Sequence, residues 1–147
     1  PFGNGAERML NNQMVGAHIM NLDLNKHSAA HLLRATQEGI TFAFRYGLDI
    51  MRTMGLNPTL IKAGKSNMFL SPVFTQAFVN VTGIPLELYN TDGAMGAALG
   101  AGIGAGQITE NDLGKGLVKL AVIEPDNHAH YEPFYAQWLD YLKKIMA

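Results

Sequence analysis

Apolar residues recur at helical period in some stretches and as short continuous runs in others, and that alternation divides the chain into elements. From about Lys26 to Met54, Leu32, Leu33, Thr36, Ile40, Ala43, Gly47, Ile50, Met51 and Met54 follow steps of mostly three or four, the stripe of a long helix. Asn25 is its expected cap, and Gly55 followed by Pro58 its stop. At 1.5 Å per residue it would be roughly 40 Å long. Arg34, Glu38, Arg45, Asp49 and Arg52 occupy the opposite face, where Arg45–Asp49 and Asp49–Arg52 are spaced to pair. Thr59–Ala63 and Ile84–Tyr89 predict buried strands, with Ala17–Leu22 a further short one. Ser71-Pro72 predicts a helix start, a hydroxyl cap before proline, for a helix running to about Val81 and stopping at Gly83. Asn90-Thr91-Asp92 offers a cap to a Gly/Ala-rich helix over 93–105. Gly64–Leu70 is expected as loop, and Gly116–Ile123 as strand or loop. Tyr131, Phe134, Tyr135, Trp138, Leu139, Leu142, Ile145 and Met146 describe an amphipathic terminal helix whose aromatic stripe is core or an interface. Helices alternating with strands, without internal repeats, give an α/β architecture.

At 147 residues the chain is about one domain long. With 11 Lys+Arg against 12 Asp+Glu, no electrostatic case exists for nucleic acid or an acidic membrane as partner. Charged residues at 16% and hydrophobic ones at 48% exclude a disordered chain. The absence of cysteine removes disulfide scaffolds, cysteine zinc sites and thiol chemistry. The longest apolar stretch, 93–106, is too short and too glycine-rich to span a membrane. The start at Pro1, without an initiator Met or signal-peptide pattern, points to a fragment of a cytoplasmic protein.

Several residue groups invite a chemical reading. Gly64-Lys65-Ser66 follows a strand, but Thr59 stands where a phosphate loop needs glycine. A glycine turn between strand and helix still leaves backbone N–H groups free and admits close approach by a ligand, against the plainer reading of a surface loop. Gly100-Ala101-Gly102-Ile103-Gly104-Ala105 matches a dinucleotide fingerprint in letters, yet follows a helical run instead of a strand. Met95, Leu99 and Ile103 mark one face there, so the small residues predict either close helix packing or a ligand-facing surface. His27 and His31 have metal-ligand spacing without a third ligand and are expected as exposed first-turn residues, and His128 and His130 as part of a polar loop. Glu7-Arg8 fits a structural ion pair or part of a cleft. Asn80-Val81-Thr82 matches a glycosylation triplet by accident of sequence.

Taken together, the segments resemble the C-terminal part of the FGGY carbohydrate kinases, in the actin-like ATPase superfamily. Pro1 to Arg8 resembles that family's Pro-aromatic…Gly-Glu-Arg segment, with an extra Ala6. Gly16-Ala17-His18-Ile19 and His31-Leu32-Leu33-Arg34-Ala35-Thr36-Gln37-Glu38-Gly39-Ile40 resemble its Gly-Ala-x-Ile and helical runs. Ala63-Gly64, then Ser71…Gln76…Asn80…Gly83-x-Pro85, resembles its adenosine motif, and Asp92-Gly93-Ala94-Met95-Gly96-Ala97-Ala98 the segment after it. Met68 to Phe74 and Glu87 to Gly93 look most like the bacterial xylulokinase branch.

The resemblance implies an α/β fold: a partial C-terminal lobe of a ribonuclease H-like (actin-like ATPase) fold, helix-rich with a small sheet. Residues 1–25 would be an opening loop and short strand, 26–106 the nucleotide-side core, and 107–147 a linker and terminal helix. It implies ATP-dependent phosphorylation of D-xylulose to D-xylulose 5-phosphate, with ribulokinase, gluconokinase and glycerol kinase types as alternatives and a non-catalytic interaction module as the reading from another class. Site residues implied are Ala63, Gly64, Asn67 and Ser71. The first glycine of the family's pair is replaced by Ala63 and the loop is longer, so the adenine contact stays open between Asn67 and Ser71. The catalytic Asp, the phosphate-binding segment and most Mg²⁺ ligands would lie upstream of Pro1. Expected partners are the N-terminal lobe of the same kinase, ATP and a pentulose, with a homodimer open, and neither nucleic acid nor membrane.

Overall fold

The computed structural model describes Phe2 and residues 7–147. The elements run α1 (Ala29–Thr53), β1 (Ile61–Gly64), α2 (Pro72–Thr82), β2 (Leu86–Tyr89), α3 (Gly93–Gly104), β3 (Lys119–Ile123) and α4 (His128–Met146), with 3-10 turns at Arg8–Leu10, Asn67–Leu70 and Glu110–Asp112. β1 and β2 pair in parallel, Ile61 opposite Leu86 and Gly64 opposite Tyr89, which requires a crossover, and α2 supplies it. β3 adds antiparallel to β2, giving the order β1-β2-β3. Among the described residues no helix is long and apolar enough to cross a membrane.

Helix α2 separates two halves of the core. Phe74, Phe78 and Val79 meet Leu86 and Leu88 of the sheet, with Ile61, Ala63, Ala121 and Ile123 beside them. On its other side Ala77 and Val81 meet Phe42 of α1 and Tyr131 and Tyr135 of α4. Ser71 caps α2, its Oγ accepting the Phe74 N–H at 3.3 Å, and Gly83 ends it at φ +69°. A third cluster joins Phe2, Leu10 and Leu142 near Trp138, whose ring stacks on Tyr135 at 6.0 Å between centroids.

Five expectations are corrected. Ala17–Leu22 forms no strand: it is exposed, no described strand runs beside it, and it is held to α4 through Asn21 Nδ2 and the Tyr141 hydroxyl. The long helix starts at Ala29, because Asn25 is used in a turn on Asp23 while the Ser28 N–H donates to His31 Nδ1, closing the first turn. His27 precedes that helix and accepts the Asp23 N–H. His128 and His130 belong to the first turn of α4 and not to a loop, with His128 Nδ1 2.6 Å from the Asn80 carbonyl. Asn80 itself is buried, its side chain bound to Asp126 and Asn127, which explains why the glycosylation triplet has no acceptor to offer.

The fifth correction concerns the faces of α1. The residues it buries are Thr41 and Phe42, while Leu33 (67% exposed) and Met54 (71%) of the apolar stripe face outward. Its charged line turns toward α4 instead. Arg45 donates to both oxygens of Glu132 (2.7 and 3.0 Å) and to the Val81 carbonyl, and its guanidinium lies 4.2 Å above the Tyr135 ring. The Tyr135 hydroxyl donates to Asp49 at 2.6 Å, and Tyr131 donates to Glu38 while accepting from Arg34. Asp49 pairs with Arg52 as the spacing predicts, but Arg45 pairs across the interface and not along the helix. Two tyrosines on α4 make an inward charged face tolerable, because Asp49, Glu38 and Arg34 each find a hydroxyl partner there. Burial and the neighbouring Asp49 push the Tyr135 hydroxyl well above its usual range, so it stays a donor at any ordinary pH.

Replacing Tyr135 by Phe should leave the Asp49 carboxylate short of a donor and lower the unfolding free energy by about 1–3 kcal/mol in urea denaturation. The Arg45 bond holds the Glu132 carboxyl below its ordinary value. A lowered folded-state value stabilises above the unfolded one and is lost as pH falls. The thermal midpoint should therefore drop below about pH 4.5, and Glu132→Gln should flatten that drop.

Candidate functional site

Two parallel strands end at one edge of the sheet, and the two loops that leave them meet there. This is the place where open α/β sheets commonly take ligands. Gly64 closes β1 with its α-carbon against the backbone of Thr91, which follows β2; a Cβ at Gly64 would lie 2.2 Å from the Thr91 carbonyl oxygen. Only glycine fits without moving one of the loops. The Lys65 N–H then donates to the Tyr89 carbonyl at 2.8 Å, and the Ser66 N–H to the Gly64 carbonyl at 2.8 Å. These two amides of the turn are thus used internally, contrary to the expectation of free donors. Asn67 follows at φ +50°, a left-handed conformation that asparagine tolerates well, and opens the 3-10 turn.

The turn roofs a cavity of about 280 Å³ lined by Phe44, Ala63, Gly64, Ser66, Asn67, Met68, Phe69 and Phe74. Three of the four expected site residues, Ala63, Gly64 and Asn67, share it. Ser71 does not line it. Its hydroxyl donates to Gln37 Oε1 at 2.9 Å and caps α2. Gln76 and Asn80 of the same motif hold Asp126 and the approach to α4, so their work is structural. Phe44 was not legible as a site residue, since it arrives from α1 and no local motif contains it. Ser66 and Asn67 differ from it in standing inside the motif's own loop.

Beside the cavity, Asp92 caps α3 by accepting the Met95 N–H at 2.9 Å. The expectation of close packing along α3 is not met among the described residues. A Cβ at Gly93, Gly96, Gly100 or Gly104 would meet nothing within 4 Å, and α3 buries no residue. Gly102 alone on this helix has a close neighbour, Ile108. On β2, the Glu87 carboxyl is held below its usual range by Lys119 of β3 and by the Tyr89 hydroxyl. Among the described residues no three His, Asp or Glu side chains gather as a metal site.

The xylulose kinase of Klebsiella pneumoniae is 29% identical over 160 aligned positions, which take in all of this chain and 32% of that protein. The chain is homologous to a part of the xylulose kinases. No protein-family model matches it. In fold it superposes on the crystal structure of xylulose kinase from Rhodospirillum rubrum with a TM-score of 0.71 at 24% identity, covering 88% of this chain and 27% of that one. Gluconate kinase from Lactobacillus acidophilus gives 0.70 at 17%, covering 92% and 29%. The helix-rich chain with its small mixed sheet thus shares the fold of a part of these two structures. The chain spans about a third of the length of the curated relative it matches end to end.

The two kinds of glycine separate in a simple measurement. Gly64→Ala should cost about 1–3 kcal/mol, because backbone must shift to admit the methyl group. Gly100→Ala, in an open helix interior, should stabilise by about 0.5–1 kcal/mol. Equal effects in chemical denaturation would contradict the close contact at Thr91.

Proposed function

We propose that the chain is the nucleotide-side lobe of a cytoplasmic sugar kinase that transfers the γ-phosphate of ATP to D-xylulose, giving D-xylulose 5-phosphate. The observation that carries this reading is the cavity at the carboxyl end of β1, which gathers Ala63, Gly64 and Asn67 at the shared edge of two parallel strands. The kinship with xylulose kinases supports the reaction class and the sugar.

In this reading Gly64 keeps the strand end flush with Thr91, so that the cavity mouth stays open beside α3. Asn67 offers a donor and an acceptor from one carboxamide, and takes the adenine contact that the sequence leaves between it and Ser71. Ser71 already serves Gln37 and the Phe74 amide. Mg²⁺, when bound with the nucleotide, neutralises phosphate charge, and its ligands belong mainly to the N-terminal lobe. Phosphoryl transfer needs bound phosphates, an aligned sugar hydroxyl and a group to accept its proton, all at once. This lobe supplies the nucleoside end of that arrangement.

The 147-residue chain on its own should release no ADP in a sugar-dependent manner in a coupled assay. Joined to the N-terminal lobe, it should turn over D-xylulose in preference to D-ribulose, gluconate and glycerol. Sugar-dependent turnover by the chain alone would sink the lobe assignment, and a preference for gluconate or glycerol would sink the substrate.

A further inference from the structure

Phe44 is half exposed, with 49% of its surface accessible, although it stands in the wall of the most apolar part of the sheet edge. Its ring is not loose. It meets Phe78 edge to face, with centroids 5.4 Å apart and planes at 76°, and Phe78 is itself held between Phe69 and Phe74 at 5.3 and 6.0 Å. One side of the Phe44 ring is therefore fixed by the core while the rest borders the cavity. Across the same cavity wall, Met68 and Phe69 add apolar surface. Only two side chains there carry polar groups, Ser66 and Asn67, and neither donates to nor accepts from any described side chain or backbone group through its side chain. A mostly apolar cleft with a few uncommitted polar groups suits a flat ring whose faces are apolar and whose edge is polar.

We infer that Phe44 is the wall on which the nucleobase lies, and that it makes this site select purines over pyrimidines. The inference rests on the nucleotide-site reading above and adds the residue and the discrimination. Stacking on an aromatic ring scales with overlapping face, so a two-ring base gains more from Phe44 than a one-ring base. The carboxamide of Asn67 and the hydroxyl of Ser66 are left to meet the base edge.

The test compares binding of Mg-ATP, Mg-CTP and inorganic triphosphate to the 147-residue chain, to Phe44→Ala and to Phe44→Trp, by NMR titration. The unaltered chain should bind ATP about tenfold more tightly than CTP. Phe44→Ala should weaken ATP about tenfold, leave triphosphate unchanged and erase the preference, whereas Phe44→Trp should keep it. Amide dispersion like that of the unaltered chain confirms that each variant is folded. ATP bound equally well by the unaltered chain and by Phe44→Ala would overturn the role of Phe44 while leaving the nucleotide site intact. Absence of ATP binding to the unaltered chain would overturn both.

Discussion

Helix α2 has no solvent face to speak of: eight of its eleven residues are buried, from Phe74 to Thr82. A short helix of that kind is stable only between two layers, and the rest of the lobe is those layers. The sheet covers the Phe74, Phe78 and Val79 side, and α1 with α4 covers the Ala77 and Val81 side. Because α2 is also the crossover between β1 and β2, its burial fixes the parallel pairing. The pairing in turn brings the two loops of the candidate site to one edge. The geometry of the candidate site is thus a consequence of where a single hydrophobic helix must sit.

The second organising feature is polar. Arg45, Asp49 and Glu38 on α1 face Glu132, Tyr135 and Tyr131 on α4 and make a hydrogen-bonded seam. The Nε of Arg45 is buried without a partner among the described residues, so the seam is not free of cost. Its stability comes with the aromatic cover above it, where Phe42, Tyr135 and Trp138 pack ring against ring. Such a seam tolerates substitution poorly, since removing one partner strands the other.

Local signals suffice at most positions where one residue dictates the backbone, Asn25 being the cap that is not used. Ser71-Pro72, Gly83 and Asp92 set the ends of α2 and α3 as expected, and Gly64 was read as a site of close approach. The terminal aromatic stripe was read as core or interface, and Tyr131, Tyr135 and Leu142 are buried. What the local sequence does not carry is what depends on a partner element. The inward face of α1 is charged because of tyrosines nearly ninety positions away, as in Asp49 and Tyr135, 86 residues apart. The glycines of α3 look like packing positions, yet nothing among the described residues lies against most of them. The cavity follows the same rule: Ala63, Gly64 and Asn67 of its lining are legible in the motif, and Phe44, brought in by α1, is not. Of the segment Pro1 to Arg8, only Phe2, Glu7 and Arg8 lie among the described residues, so its likeness to the kinase segment stands on sequence.

The proposal that the nucleotide enters at the carboxyl end of β1 draws on the likeness to xylulose kinases and the cavity at Gly64. Backbone amide shifts of the 147-residue chain, followed as Mg-ATP is added, test it most directly. Shifts should concentrate at residues 63–70 and 91–93. Shifts concentrated instead in the polar groove of Arg34, Gln76, Asp126 and His130 on the far side of α2, or none anywhere, would contradict it.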